Sequence, residues 1–172
     1  MGHRIRAFVG DAASFSAFRA IAPASRLYSL SPSTHLLVLL LQDDLHDALH
    51  RANGTGDWLE GAGPLLSSSD FQFAARASER APLAYIETDY FGGEGMQHAV
   101  LWQHGSLAIG PLTLNVQTGT QRATSLWPIN VVLRALGIAA TMHEDEFTRL
   151  GLGAFRDAES IQERAASRAI SS

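Results

Sequence analysis

Cysteine and lysine are both missing from this chain of 172 residues. Without cysteine there is no disulfide, no thiolate metal site and no thiol nucleophile, and the redox compartment stays undetermined. All 13 basic residues are arginine, which excludes a P-loop lysine, a Schiff-base lysine and a Ser-Lys dyad within the chain. Long apolar runs are also absent: the longest, residues 36–41, falls far short of the roughly 20 residues of a membrane-spanning helix. The opening MGHRIRAFVGDAAS has no apolar core of a secretory signal, so the default expectation is a cytoplasmic protein with no membrane partner. Scattered arginines and a net charge of −4 argue against a nucleic-acid surface. What remains is an ordinary globular composition, 46% hydrophobic and 17% charged, at a length that suits one domain with a real core.

The most patterned stretch is residues 83–110, LAYIETDYFGGEGMQHAVLWQHGSLAIG, which reads as a three-stranded antiparallel meander. His104-Gly105 suits a two-residue turn, so Gln103 is expected opposite Ser106 and Trp102 opposite Leu107. FGGEG is expected to form a longer loop closed by Tyr90 and Met96, which puts Ile86 opposite Val100, Thr88 opposite His98 and Asp89 opposite Gln97. Alternation then places Ile86, Val100, Trp102, Leu107 and Ile109 on a core face. Glu87, Asp89, Gln97, Gln103 and Ser106 fall on the other, polar face.

Around this meander the chain predicts a strand over 4–9, a helix to about residue 22, a strand over 26–30 and a buried strand over 35–41. Helices are expected over 44–52, from a cap at 67–69 to about 80, and from Pro128 to Gly137, with a short one opened by the acids 144–146. Residues 53–64, NGTGDWLEGAGP, and 117–124 read as loops. The expected fold class is α+β: a single domain over 1–153, a mainly antiparallel sheet with the meander, and helices packed on one face. Residues 154–172 are expected to form a C-terminal tail, partly helical or mobile.

Several groups carry possible chemistry, each with an ordinary explanation beside it. Glu87 and Asp89, on one strand face, have the spacing for a metal, an acid/base pair or a patch for a partner's arginine, or simply for a solvated face. Tyr90 and Phe91 precede the glycines of FGGEG, where packed aromatics in a long turn compete with exposed anchors for a partner. His46 and His50 in HDALH have the i, i+4 spacing of a zincin helix, but Asp47 stands where that family has glutamate, and the polar edge of the helix accounts for both histidines. His143, Glu144 and Glu146 suit a first helical turn. His98 reads as a hydrogen-bonded interior or edge histidine, and Asn130 with Arg134 as an exposed i, i+4 pair. No catalytic residue, metal ligand set or cofactor is assigned.

The hairpin segment Glu87-x-Asp89-Tyr90-Phe91-Gly92-Gly93-x-Gly95-x-Gln97 resembles a group of small bacterial proteins that carry E-x-[DE]-Y-F-G-G-x-G-x-Q. The resemblance brings no catalytic residue. In size, acidity and single-domain build the chain is similar to bacterial immunity proteins, which bind and block a partner toxin. The first expectation is a non-enzymatic protein-binding domain, an immunity- or antitoxin-like inhibitor, with the polar meander face and the two glycine-rich loops supplying its contact residues: Glu87, Asp89, Tyr90, Phe91, Gly92, Gly93, Glu94, Gln97 and Trp58. The alternative is a small hydrolase, metal-dependent or acid/base, using Glu87 and Asp89.

Overall fold

The computed structural model describes residues 2–54, 56–57, 66–92, 94–117 and 124–170, with side chains to residue 167. Among the described residues six strands form one antiparallel sheet: β1 (His3–Gly10), β2 (Leu27–Tyr28), β3 (Leu37–Leu40), β4 (Leu83–Phe91), β5 (Glu94–Gln103) and β6 (Ser106–Val116). Their spatial order is β2-β3-β1-β4-β5-β6, so β1 and β4 pair at the centre although some 80 residues separate them. The helices are α1 (Ser16–Ile21), α2 (Asp43–Asn53), α3 (Ser68–Ala77), α4 (Pro128–Ala135), α5 (Glu146–Leu150) and α6 (Ala158–Ile170). Among the described residues no helix is long and apolar enough to cross a membrane.

Local sequence explains where these helices begin and end. Asp43 and Asp44 sit in the first turn of α2 and His50 and Arg51 in its last, matching the helix dipole. At α3 the Ser67 hydroxyl accepts from the Asp70 N–H at 3.2 Å while Asp70 Oδ2 accepts from the Ser67 N–H at 3.1 Å, a reciprocal cap. Pro128 occupies the first turn of α4, where its missing N–H costs nothing. Asp145 caps α5 through the Thr148 N–H at 2.9 Å.

The α+β class and the antiparallel sheet are as the sequence implied, but the helices cover both faces of the sheet instead of one. The strands give the reason. Residues 83–86 and 99–102 are buried at every position, so neither face can be left to water. One face (Ile5, Val9, Val38, Leu40, Ile86, Leu101) packs against Ile129, Val132 and Leu133 of α4, Leu150 of α5 and Ile161 of α6. The other (Phe8, Leu39, Tyr85, Val100, Trp102) packs against Phe18 of α1, Leu45 and Leu49 of α2, and Phe73 and Ala74 of α3. The segment set apart as a tail is helical over α6 and docks on the first core through Phe155 and Ile161. The Arg4 N–H donates to the Arg156 carbonyl at 2.6 Å, and Gln162 Nε2 to Gln42 Oε1 at 2.7 Å.

The β5–β6 hairpin starts as expected, with Trp102 opposite Leu107, Gln103 opposite Ser106, and His104 and Gly105 at φ 52° and 76°. Farther along the register breaks between Ala99 and Leu101 and again between Leu101 and Trp102, and Leu101 faces Ile109. The β4–β5 hairpin differs by one residue throughout. Phe91 faces Glu94, which leaves only positions 92 and 93 between the strands, where a five-residue loop was expected. Ile86 therefore faces Ala99, Glu87 faces His98, Thr88 faces Gln97 and Asp89 faces Met96. Gly95 lies inside the ladder for a steric reason: a Cβ there would run into the Asp89 carbonyl and the Tyr90 Cα.

Candidate functional site

Beyond residue 86, β4 runs toward its open end, and alternation deals its side chains to two different surfaces. Glu87, Asp89 and Phe91 share one face, with Arg6 and Arg4 of β1 alongside and His98 and Met96 of β5 across. Thr88 and Tyr90 share the other face with His3 and Gln97. Glu87 and Asp89 thus lie together as expected, whereas Gln97, expected with them, is on the opposite surface. The one-residue change in pairing moved it.

On the first face Glu87 is 1% exposed and has both oxygens engaged: Arg6 Nε donates to Oε1 at 3.1 Å and the Tyr85 hydroxyl to Oε2 at 2.9 Å. Burial, and then the adjacent Glu87 carboxylate, push the Tyr85 hydroxyl well above the ordinary tyrosine range, so it stays a donor. Asp89 is half exposed and meets Arg4 Nε at 3.8 Å. Each carboxylate is therefore matched with an arginine across the central strand pair. His98 is interior and its Nδ1 lies 3.1 Å from the Thr113 hydroxyl. At the tip, Phe91 is 86% exposed and Glu94 is exposed.

The second face holds a pocket of about 230 Å³. Tyr90 and Trp127 stack as one wall, their rings 6.0 Å apart and 5° from parallel. His3 meets Phe147 edge-on at 5.7 Å and is fixed by its Nδ1, 2.8 Å from the Phe155 carbonyl oxygen. Gln97 Oε1 accepts from the Ile129 N–H at 3.4 Å, at the start of α4. Asn130, read from sequence as exposed, is 2% exposed; its Nδ2 donates to the Thr124 carbonyl at 3.0 Å and Asp145 Oδ2 at 3.1 Å, and its Oδ1 accepts from the Phe147 N–H at 3.0 Å. Burial alone would raise the Asp145 carboxyl, but hydrogen bonds from Thr148 and Asn130 outweigh it and hold the group below its ordinary value. Two buried polar atoms in this wall, Tyr90 Oη and Trp127 Nε1, have no hydrogen-bond partner among the described residues. Desolvation pushes the Tyr90 hydroxyl up to about 12, so both are neutral donors near neutral pH.

A wider, open groove of about 660 Å³ adjoins this pocket, the two sharing His3 and Tyr90. Phe91, Arg4, Arg6, Arg156, Asp89 and Asp157 line it, mixing one exposed aromatic with charges of both signs. Of the residues expected at the contact surface, Asp89, Tyr90 and Phe91 line this groove, Gln97 opens only into the pocket, and Glu87 is sealed inside. Gly92 is the exposed turn residue at φ 63°. Trp58 and Gly93 lie outside the described residues. Sequence reasoning missed His3, Trp127 and Asp145, which reach the pocket only through long-range packing. Among the described residues, a further group with ligand chemistry, His46 and His50 with Asp70, is on the other side of the sheet. No protein-family profile, curated sequence or solved structure matches this chain.

Proposed function

We propose that the protein is a non-enzymatic protein-binding domain that seats its partner on the open end of the β4–β5 hairpin. The observation that carries this reading is Phe91, an aromatic side chain 86% exposed at the rim of a recess. Such a side chain is a typical interface anchor, and the charged groove beside it supplies a polar rim. The pocket behind Tyr90 supports the same reading by its size. At about 230 Å³ it is smaller than the roughly 300–1,000 Å³ of drug-sized ligand sites, yet large enough for one partner side chain. The unpaired Tyr90 and Trp127 donors favour a side chain that brings an acceptor. The chain's size, acidity and hairpin make a bacterial toxin the first partner class to test, with this protein acting in the cytoplasm as its inhibitor.

The alternative, a hydrolase using Glu87 and Asp89, has less to support it, because Glu87 is engaged at both oxygens and enclosed. The test is a comparison of the native protein with Phe91→Ala in capture from the source organism, followed by calorimetry on the recovered complex. Loss of a hot-spot aromatic should weaken binding by about 2 kcal/mol, roughly 30-fold, while stability changes by no more than about 0.5 kcal/mol. Unchanged affinity in Phe91→Ala removes the hairpin end as the docking surface.

A further inference from the structure

On the sheet face away from the pocket, α2 carries His46 and His50 four residues apart, which brings both rings to one side of the helix. Their centroids are 4.0 Å apart and the rings are tilted by 55°. The start of α3 lies alongside, and its Asp70 is 1% exposed. Asp70 Oδ2 is held by the Ser67 N–H at 3.1 Å and the Ser67 hydroxyl at 2.8 Å, and lies 3.8 Å from His50 Nε2. Asp70 Oδ1 and the Nε2 atoms of both histidines are buried with no hydrogen-bond partner among the described residues. One ligand atom from each residue lies within 4.8 Å of the other two.

Ordinary explanations reach only part of this. An aspartate at the third position of a helix explains Oδ2, and histidine at the margin of an amphipathic helix explains why the rings are half-buried. Neither explains why three residues from two helices, with ligand atoms within 4.8 Å of one another, each keep a buried polar atom unsatisfied, which is costly. A cation answers all three at once.

We propose that His46, His50 and Asp70 bind one divalent transition-metal ion, with Zn²⁺ the ion their chemistry suits best. Two imidazoles and a carboxylate fit zinc, whereas magnesium and calcium favour all-oxygen shells. Bonds of about 2.0–2.2 Å to a tetrahedral ion put ligand atoms about 3.3 Å apart, so the group closes slightly on binding, by rotation of the two imidazoles. Ser67 holds the carboxylate from behind, as outer-shell donors do at metal sites. Three protein ligands leave a fourth position for water. The ion would tie α2 to α3, on a surface independent of the docking end.

The purified chain, stripped with a chelator, is titrated with Zn²⁺ and with Co²⁺ by calorimetry, and its melting temperature is followed as Zn²⁺ is added. One equivalent of Zn²⁺ per chain is expected, with a melting temperature that rises with Zn²⁺ concentration. His46→Ala and His50→Ala should each weaken binding at least about tenfold while circular dichroism stays native. Asp70→Asn also disturbs the α3 cap, so the two half-buried histidines carry the test if that variant fails to fold. Failure of the native chain to bind either ion saturably overturns the proposal. So does equal Zn²⁺ affinity in a folded His46→Ala/His50→Ala chain, which would trace binding to histidines elsewhere.

Discussion

Glu87 and Asp89 stand two positions apart on one strand face, yet the fold gives them different work. Glu87 is enclosed and answers Arg6 and Tyr85 together, while Asp89 meets a solvent-exposed Arg4 at the longer distance of 3.8 Å. Glu87→Ala leaves a partly buried guanidinium and a buried hydroxyl without their acceptor, at a cost of about 3 kcal/mol in urea unfolding. Asp89→Ala, at an exposed pair, should cost under about 1 kcal/mol in the same assay. Equal losses would contradict the assignment of one carboxylate to the interior and the other to the surface. The shared face of the two acids was legible in the sequence from strand alternation alone. Their arginine partners were not, because β1 and β4 meet across some 80 residues and no local pattern announces that pairing.

Among the elements, the two meander hairpins show why one register could be read and the other could not. His-Gly between apolar runs admits essentially one tight turn, and β5–β6 begins as that turn requires. Three glycines in FGGEG admit several loop lengths, and a difference of one residue exchanges the surfaces to which Gln97 and His98 belong. The pocket followed that exchange, so Gln97, expected beside Asp89, lies with Thr88 and Tyr90 instead. Asp145 lines the pocket and caps α5, and its lowered carboxyl has a pH consequence. A group held below its unfolded value of 3.8 contributes stability above that pH and loses it as pH falls through the still lower folded value. From about pH 5 to about pH 3 the melting temperature of the native chain should therefore drop more than that of Asp145→Asn, which keeps a capping oxygen but has no charge to lose. Parallel curves for the two proteins would show that Asp145 contributes nothing to acid sensitivity.

For the molecule as a whole, the decisive fact is that one sheet serves two cores. From the sequence, a strand covered on both faces was expected only over residues 35–41, although residues 83–86 and 99–102 have nearly the same character and for the same reason. Because both helix layers grip the same strands, they should unfold together. Leu49→Ala on the α2 side and Leu133→Ala on the α4 side should each cost about 2–5 kcal/mol. In each variant near- and far-ultraviolet circular dichroism should still melt at one midpoint, and a variant that loses one layer before the other would show two independent units. Covering both broad sides also leaves only the rims of the sheet able to recruit further strands. One rim is β2, two residues long; the other is β6, whose ladder is interrupted twice and which carries a proline at 111. Neither offers an incoming chain a long regular row of amides to zip onto. The architecture thus protects itself against fibrous self-association at its margins.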